Sequence, residues 1–335
     1  MRVPGLKNLL STKCLNEIIE NGGPSINGVK IFDCTYSVNA KPDWKNFKMN
    51  ELGRFDELMK KSSKHKEEYL KCHIPHSYHF DLDCAMFPGR YERFSFYQPE
   101  FFEIYAQKLG INKEDHLVFY SRGPYNGMMF SAKTFWLFKC YGHKDMSILD
   151  GGFAKWCKDG FKTECGTCSE NVEMGNWPGS DNFSINVKYS EIIKKDDNGK
   201  DMFEQTSSTV FLDARPENVY KGNVETGLNP YFVDGSYIPG TINIPANELF
   251  KDDGTFKEAD EIKNVIDKRN IDIIDKDGKQ KRQIITFCNT GTQATILNFA
   301  LENIYPNVET KLWNGGLKEL EVRNPKRISG KDNQF

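Results

Sequence analysis

Apolar positions along the chain fall into two patterns that take turns. Short runs such as Val29-Lys-Ile-Phe-Asp33, His116–Tyr120, Ser147–Leu149, Val210–Asp213 and Ile284–Phe287 read as buried strands. Between them, Ser11–Asn21, Pro99–Leu109, Ser131–Tyr141 and Ala294–Ile304 carry apolar residues at helical spacing. A Lys-rich stretch, Asp43–Lys71, reads as helix and loop on a solvated face, and His73–Phe80 returns to extended chain. Strands alternating with helices predict an α/β fold built on parallel sheets.

The order then repeats. Val210-Phe-Leu-Asp-Ala-Arg215 matches Ile31-Phe-Asp33, and Tyr237-Ile-Pro-Gly-Thr-Ile-Asn-Ile244 matches His73-Ile-Pro-His-Ser-Tyr-His-Phe80. Ile284–Phe287 matches Leu117–Tyr120, and Trp313-Asn-Gly-Gly-Leu317 matches Leu149-Asp-Gly-Gly-Phe153. Four landmarks in one order are a tandem duplication. Between the copies, Glu164–Asp181 turns polar and loses periodicity. The expected division is residues 1–164, a linker at 165–183, and residues 184–335.

The two copies differ in chemistry at one place. The second reads Cys288-Asn-Thr-Gly-Thr-Gln293 between a strand end and a helix start; the first has Ser121 there, followed by a longer loop, Arg122–Gly127. A cysteine at a helix N-terminus meets backbone N–H groups and a favourable field for an anion, conditions that stabilise a thiolate. Cys288 is therefore the candidate nucleophile, with Asn289, Thr290, Gly291, Thr292 and Gln293 as its loop. The competing reading is a buried core cysteine. The first half, with Ser121, is read as structural.

Charge and composition narrow the rest. The 335 residues carry 45 basic and 47 acidic side chains, a net charge of −2, so no basic field points to nucleic acid. No apolar run is long enough to span a membrane. Nine cysteines at irregular spacing fit a reducing compartment. The start, with two early basic residues and no acid before Glu17, reads as an ordinary first helix, with a short mitochondrial presequence as the alternative. The expected location is cytoplasmic or mitochondrial. Asn182-Phe-Ser is a glycosylation sequon by pattern only. His73, His76 and His79 lie close in sequence, but their alternation puts them on mixed faces, and a metal site is not expected. Cys165-Gly-Thr-Cys168 is a CxxC outside any strand–helix junction, so it is read as incidental or regulatory. Charge runs at Lys194–Asp197 and Lys276–Arg282 read as solvated hairpins or loops.

The Asp-bearing first strands, the Ile-Pro segments, the Gly-Gly turns and a loop cysteine in the second copy alone resemble the rhodanese family. Within it, the likeness is to the two-domain thiosulfate and 3-mercaptopyruvate sulfurtransferases. It runs from about Leu9 to Arg323, most specifically at Asp213-Ala-Arg-Pro-Glu, Ile238-Pro-Gly-Thr-Ile-Asn-Ile-Pro245 and the Cys288 loop. It implies two tandem rhodanese-like domains and sulfur transfer through a Cys288 persulfide. The donor would be thiosulfate or 3-mercaptopyruvate, and the acceptor cyanide, sulfite or a thiol, including a thiol protein such as thioredoxin. It implies no cofactor, and an active site between the halves. Cysteine phosphatases, which share the domain fold, need an arginine where Ala294 stands.

Several residues depart from the family pattern. The donor-binding arginine expected four residues beyond Arg215 is Val219, and Asn223–Asp234 holds no second one. The loop has Asn289 and Thr290 where thiosulfate enzymes are basic; Thr290 would replace the serine of mercaptopyruvate enzymes. Asp83 matches the family's acid, yet Arg93–Pro99 lacks the partner histidine. Losing two charged hydrogen bonds costs ~100-fold or more in donor affinity. Lys221, Arg215 and Asp83 remain as substrate-site candidates, with Arg215 read as bracing Asp213 and Asp83 equally as a turn cap. A catalytically weak binding or redox-sensing protein acting through Cys288 is the alternative.

Overall fold

The computed structural model describes residues 8–22, 28–167, 172–275 and 277–331. Two compact units emerge. One is built from the chain up to Arg90 with Phe94–Phe183 and Lys251–Phe256; the other from Tyr91–Arg93, Ser184–Phe250 and Lys257 onward.

In the first unit the strands are β1 (Leu9–Leu10), β2 (Val29–Asp33), β3 (Ser77–His79), β4 (His116–Tyr120) and β5 (Met146–Leu149). They form one parallel sheet in the order β1-β5-β4-β2-β3. The helices are α1 (Thr12–Glu20), α2 (Trp44–Asn50), α3 (Phe55–Leu58), α4 (Lys64–Lys71), α5 (Leu82–Ala85), α6 (Pro99–Lys108), α7 (Met128–Cys140) and α8 (Gly152–Lys158). Ser11, Asp43 and Ser63 cap α1, α2 and α4 by accepting from backbone N–H groups. Helix α7 is buried along nearly its whole length, which explains its all-round apolar composition.

The second unit repeats the central part. Its strands are β6 (Thr209–Asp213), β7 (Ile242–Asn243), β8 (Gln283–Phe287) and β9 (Thr310–Leu312), ordered β7-β6-β8-β9 and all parallel. Its helices are α9 (Tyr189–Ile192), α10 (Glu217–Tyr220), α11 (Ala259–Asp267), α12 (Ala294–Ile304) and α13 (Gly316–Arg323). Phe211, Ile285, Phe287, Trp313 and Leu317 form its core. On the other face of β8, Ile296, Leu297, Ala300 and Leu301 of α12 are buried; each larger one contributes about 1.5–3 kcal/mol.

The register is the same in both sheets. Asp33 lies beside Tyr120 and Asp213 beside Phe287, so the residues that follow, Ser121 and Cys288, leave equivalent strand ends. In parallel α/β sheets that carboxyl edge is where ligands bind.

The segment after α8 is more committed than its polar composition implies. Trp177 is buried and donates from Nε1 to His143 Nδ1 at 2.8 Å. The Trp177 N–H reaches Ile111 O, and Ser180 and Asn182 donate to the carbonyls of Tyr141 and Cys140. The stretch up to Phe183 is thus strapped onto the first unit. Both charge runs lie at tight hairpins, Asp196 pairing with Lys200 and Asp275 with Lys279; Lys276 itself is outside the described residues.

Candidate active site

The Cys288 loop is shaped from behind by the Gly-Gly turn. Leu317 and Lys318, at the start of α13, donate their backbone N–H groups to Cys288 O and Asn289 O, both at 3.0 Å. That approach requires a bare Cα at Gly316, whose φ is +56°. Gly291 has φ +67°, and a Cβ there would come within 2.7 Å of Asn314 O. With two carbonyls held by α13, the loop's donors are left for another partner. Among the described residues, the backbone N–H groups of Asn289, Thr290 and Thr292 have no protein acceptor.

Cys288 itself is 2% exposed. Thr290 Oγ1 and Thr292 Oγ1 lie 3.5 Å apart, and Thr292 O is taken by the hydroxyl of Thr295 at 2.7 Å. Gln293 precedes the 11-residue α12, whose N-terminus favours an anion at the loop. Ala294 is fully buried as the first residue of that helix.

Asn289 turns out to be a tether. Its Nδ2 donates to Thr226 O at 2.9 Å, while its Oδ1 is buried with no hydrogen-bond partner. The cysteine loop is thereby tied to the Asn223–Asp234 segment, where a second substrate arginine is missing.

Arg215 is 1% exposed and clamps Asp213 through Nε at 3.0 Å and Nη2 at 2.7 Å, with Nη2 also donating to Ser236 O. These bonds brace Asp213, while Nη1 is buried without a partner among the described residues. Lys221, at the end of α10, pairs with Glu217 at 2.9 Å and is more than a third exposed. Val219 sits half-buried on the same short helix. Beneath the Gly-Gly turn, Glu319 accepts from Trp313 Nε1 and Arg323, and burial pushes its carboxyl above the usual range.

In the first unit the equivalent strand end is closed. Ser121 Oγ donates to Gly127 O within its own loop. Arg122 ion-pairs with buried Asp33 at 2.5 Å, donates to Cys72 O, and lies 3.8 Å over the Phe153 ring. Asp83 accepts from the Tyr36 hydroxyl at 3.1 Å and occupies the first turn of α5. The turn cap is Asp81, which accepts from the Asp83 N–H; the capping role considered for Asp83 belongs to its neighbour. Burial first, then the charges of Asp81 and Asp83, push the Cys84 thiol up, which disfavours its thiolate.

Of the three neighbouring histidines, His73 and His79 are packing elements and His76 is exposed. His73 bonds Tyr69 O through Nδ1 and stacks on that ring at 4.2 Å; His79 stacks on His65 at 5.4 Å. His65, unmarked by any sequence signal, accepts from Ser37 N–H at Nδ1 and faces Asp81 with Nε2 at 3.2 Å. Among the described residues no cluster of three His, Cys, Asp or Glu is arranged for a metal, and no helix is long and apolar enough to cross a membrane. In the CxxC, Cys165 is exposed and Cys168 lies outside the described residues.

The Rhodanese-like domain family matches residues 63–159 and 196–322. The Caenorhabditis elegans chain mpst-1, which carries a provisional thiosulfate sulfurtransferase name, is 38% identical over 97% of both chains. The 3-mercaptopyruvate sulfurtransferase of Escherichia coli K12 is 27% identical over 77% of this chain and 83% of its own. Among solved structures, Tum1 from Saccharomyces cerevisiae aligns over 98% of this chain and 99% of its own, with TM-score 0.72 and 19% identity. SseA from Escherichia coli aligns over 93% and 99%, with TM-score 0.68 and 23% identity. With two parallel sheets whose carboxyl edges carry these loops, the chain belongs to the rhodanese family and is a sulfurtransferase of the thiosulfate and 3-mercaptopyruvate type.

Proposed function

We propose that the chain moves sulfane sulfur from thiosulfate or 3-mercaptopyruvate, through a Cys288 persulfide, to cyanide or a thiol acceptor. The observation that carries this reading is the Cys288 loop, with two carbonyls drawn back by α13 and three N–H groups left without acceptors among the described residues. Those donors suit the terminal sulfur anion of a persulfide. The Cys288 thiolate attacks the donor's sulfur, forming the S–S bond as the S–S bond of thiosulfate breaks and sulfite leaves. With 3-mercaptopyruvate the C–S bond breaks, and the leaving carbon takes a proton to become pyruvate. The acceptor then attacks the outer sulfur and the Cys288 thiolate is restored. Thiocyanate is the product with cyanide; a thiol protein such as thioredoxin becomes the persulfide. The Ser121-bearing half is non-catalytic in this reading, with Asn289–Gln293 lining the sulfur and Lys221 as the candidate donor cation.

The weak or redox-sensing alternative is favoured by one observation, the commitment of Arg215 to Asp213 beside a valine at position 219. The test is sulfur transfer to cyanide by the purified chain and by Cys288→Ser, with thiosulfate and with 3-mercaptopyruvate, and intact-mass detection of a sulfur adduct. Turnover and adduct that both vanish in the variant support the enzyme. An unmodified Cys288 and no turnover with either donor would shift the reading to the alternative.

A further inference from the structure

His73 and Glu164 form an antiparallel bridge in which each backbone N–H donates to the other's carbonyl, at 2.8 and 2.9 Å. In antiparallel pairing, the residues one step beyond such a doubly bonded pair face each other without hydrogen bonds. Their Cα atoms are about 4.5 Å apart and their side chains share a face. Here those residues are Cys72 and Cys165.

The backbone of Cys72 has the matching geometry. It is extended, with φ −166° and ψ 129°. Its N–H turns to the carbonyls of Glu68 and Tyr69, and its carbonyl accepts from Arg122. Neither group is spent on the 164–166 segment, as expected of a non-hydrogen-bonded position. The bridge is isolated, but the two segments stay close past it: Gly166 N–H donates to Leu70 O at 2.7 Å, one residue out of register where the chain is still in α4. The expected Cα separation lies inside the range of about 4.4–6.8 Å that a disulfide spans. Both thiols are free, Cys165 exposed and Cys72 partly so. A third, the exposed Cys157, is near enough that the Cys72 charge adds to burial in raising it.

We propose that Cys72 and Cys165 are a redox pair that closes into a reversible intramolecular disulfide when the glutathione pool is oxidised. The Cys165 thiolate, the more accessible, attacks glutathione disulfide. The S–S bond of that molecule breaks, and one glutathione thiolate leaves and takes up a proton. The Cys72 thiolate then attacks the Cys165 sulfur of the mixed disulfide and expels the second glutathione. Two electrons pass from the protein to glutathione disulfide, yielding two glutathiones and one protein disulfide. The bond joins the end of α4 to the segment after α8, independently of Cys288.

The test equilibrates the full chain in buffers from reduced glutathione to glutathione disulfide, followed by acid quenching, alkylation and peptide mass mapping. The expected result is a linked Cys72–Cys165 peptide pair, two hydrogens lighter than its parts, that rises about tenfold or more across the series and disappears with dithiothreitol. Cys165→Ser removes the linked pair, while Cys157→Ser keeps it. The oxidised chain also melts higher than the reduced one, a difference absent from Cys72→Ser. Cys72 and Cys165 alkylated separately at every ratio would overturn the proposal. So would Cys165 linked to Cys168, or Cys72 to Cys157, in place of the pair.

Discussion

Gly316 packs so closely behind Cys288 that a methyl group on its Cα would overlap the Cys288 carbonyl oxygen and come within 2.9 Å of that of Asn289. The relationship is duplicated in the other unit, where a Cβ on Gly152 would come within 2.7 Å of Ser121 O. Both glycines have positive φ, +56° and +55°. The Gly-Gly turn is therefore a mould for the loop that follows the central strand, in the half with a thiol and in the half without one.

Gly316→Ala is accordingly expected to damage the site more than its size implies. The positive φ costs an alanine about 1–2 kcal/mol, and the overlap about 1–3 kcal/mol more. Urea denaturation should show a loss of roughly 2–5 kcal/mol, and sulfur transfer should fall in the fraction that stays folded. Gly152→Ala should destabilise comparably while leaving turnover per folded molecule unchanged. Equal turnover in both variants would separate the turn from the chemistry.

Arg215 can be tested in the opposite direction. Because it is buried on Asp213, Arg215→Met should cost about 3–5 kcal/mol of stability by stranding the carboxylate. The KM for either donor should stay unchanged in whatever remains folded. A raised KM with an unaltered urea midpoint would instead assign Arg215 to donor binding.

How much of this the chain's text disclosed follows from how local each signal is. The duplication was legible because every landmark is a short contiguous string: an Asp ending a strand, an Ile-Pro pair, a Gly-Gly turn. The strand–loop–helix around Cys288 was legible for the same reason. The two-residue β1 was missed, being too short for any periodicity, and α7 begins at Met128, a turn before its expected start at Ser131. Trp177 was hidden because one docked indole does not alter the polar average of its neighbours. The His65–Asp81 pair joins residues from separate elements, and no sequence pattern encodes it. The Asp–Arg clamp shows the limit best. Asp213 takes its arginine from two residues on, whereas Asp33 takes Arg122 from the loop after β4. The same buried charge is neutralised from different places, and only the fold shows which.

Val219 allows a gain of function. It is half-buried on α10, four residues beyond Arg215, and Lys221 is the nearby cation already held by Glu217. A charge-assisted hydrogen bond is worth about 1.5–3 kcal/mol, so Val219→Arg should lower the KM for an anionic donor by about tenfold to a hundredfold. Steady-state kinetics with thiosulfate and 3-mercaptopyruvate would check it. An unchanged KM for both would mean that this helix face does not meet the donor.

The last expectation concerns acid stability of the first unit. Burial lowers the His79 pKa from 6.5 to about 4; the charges of Asp81 and Asp33 oppose the shift, and His65 and Lys66 reinforce it. The folded state therefore keeps His79 neutral at pH values where the unfolded chain protonates it. Stability is fully present above about pH 6.5 and is lost as pH falls towards 4. The upper bound is about 3 kcal/mol, reduced by the solvent that reaches this partly exposed ring. His79→Phe preserves a ring against His65 and Tyr69 without the proton. Its urea midpoint should fall less steeply than that of the wild type between pH 6.5 and 4, and the two curves should run parallel above pH 7. Identical acid slopes would place the titration on other groups of the cluster, Asp81 first among them, whose carboxyl the His65 hydrogen bond holds low against its burial.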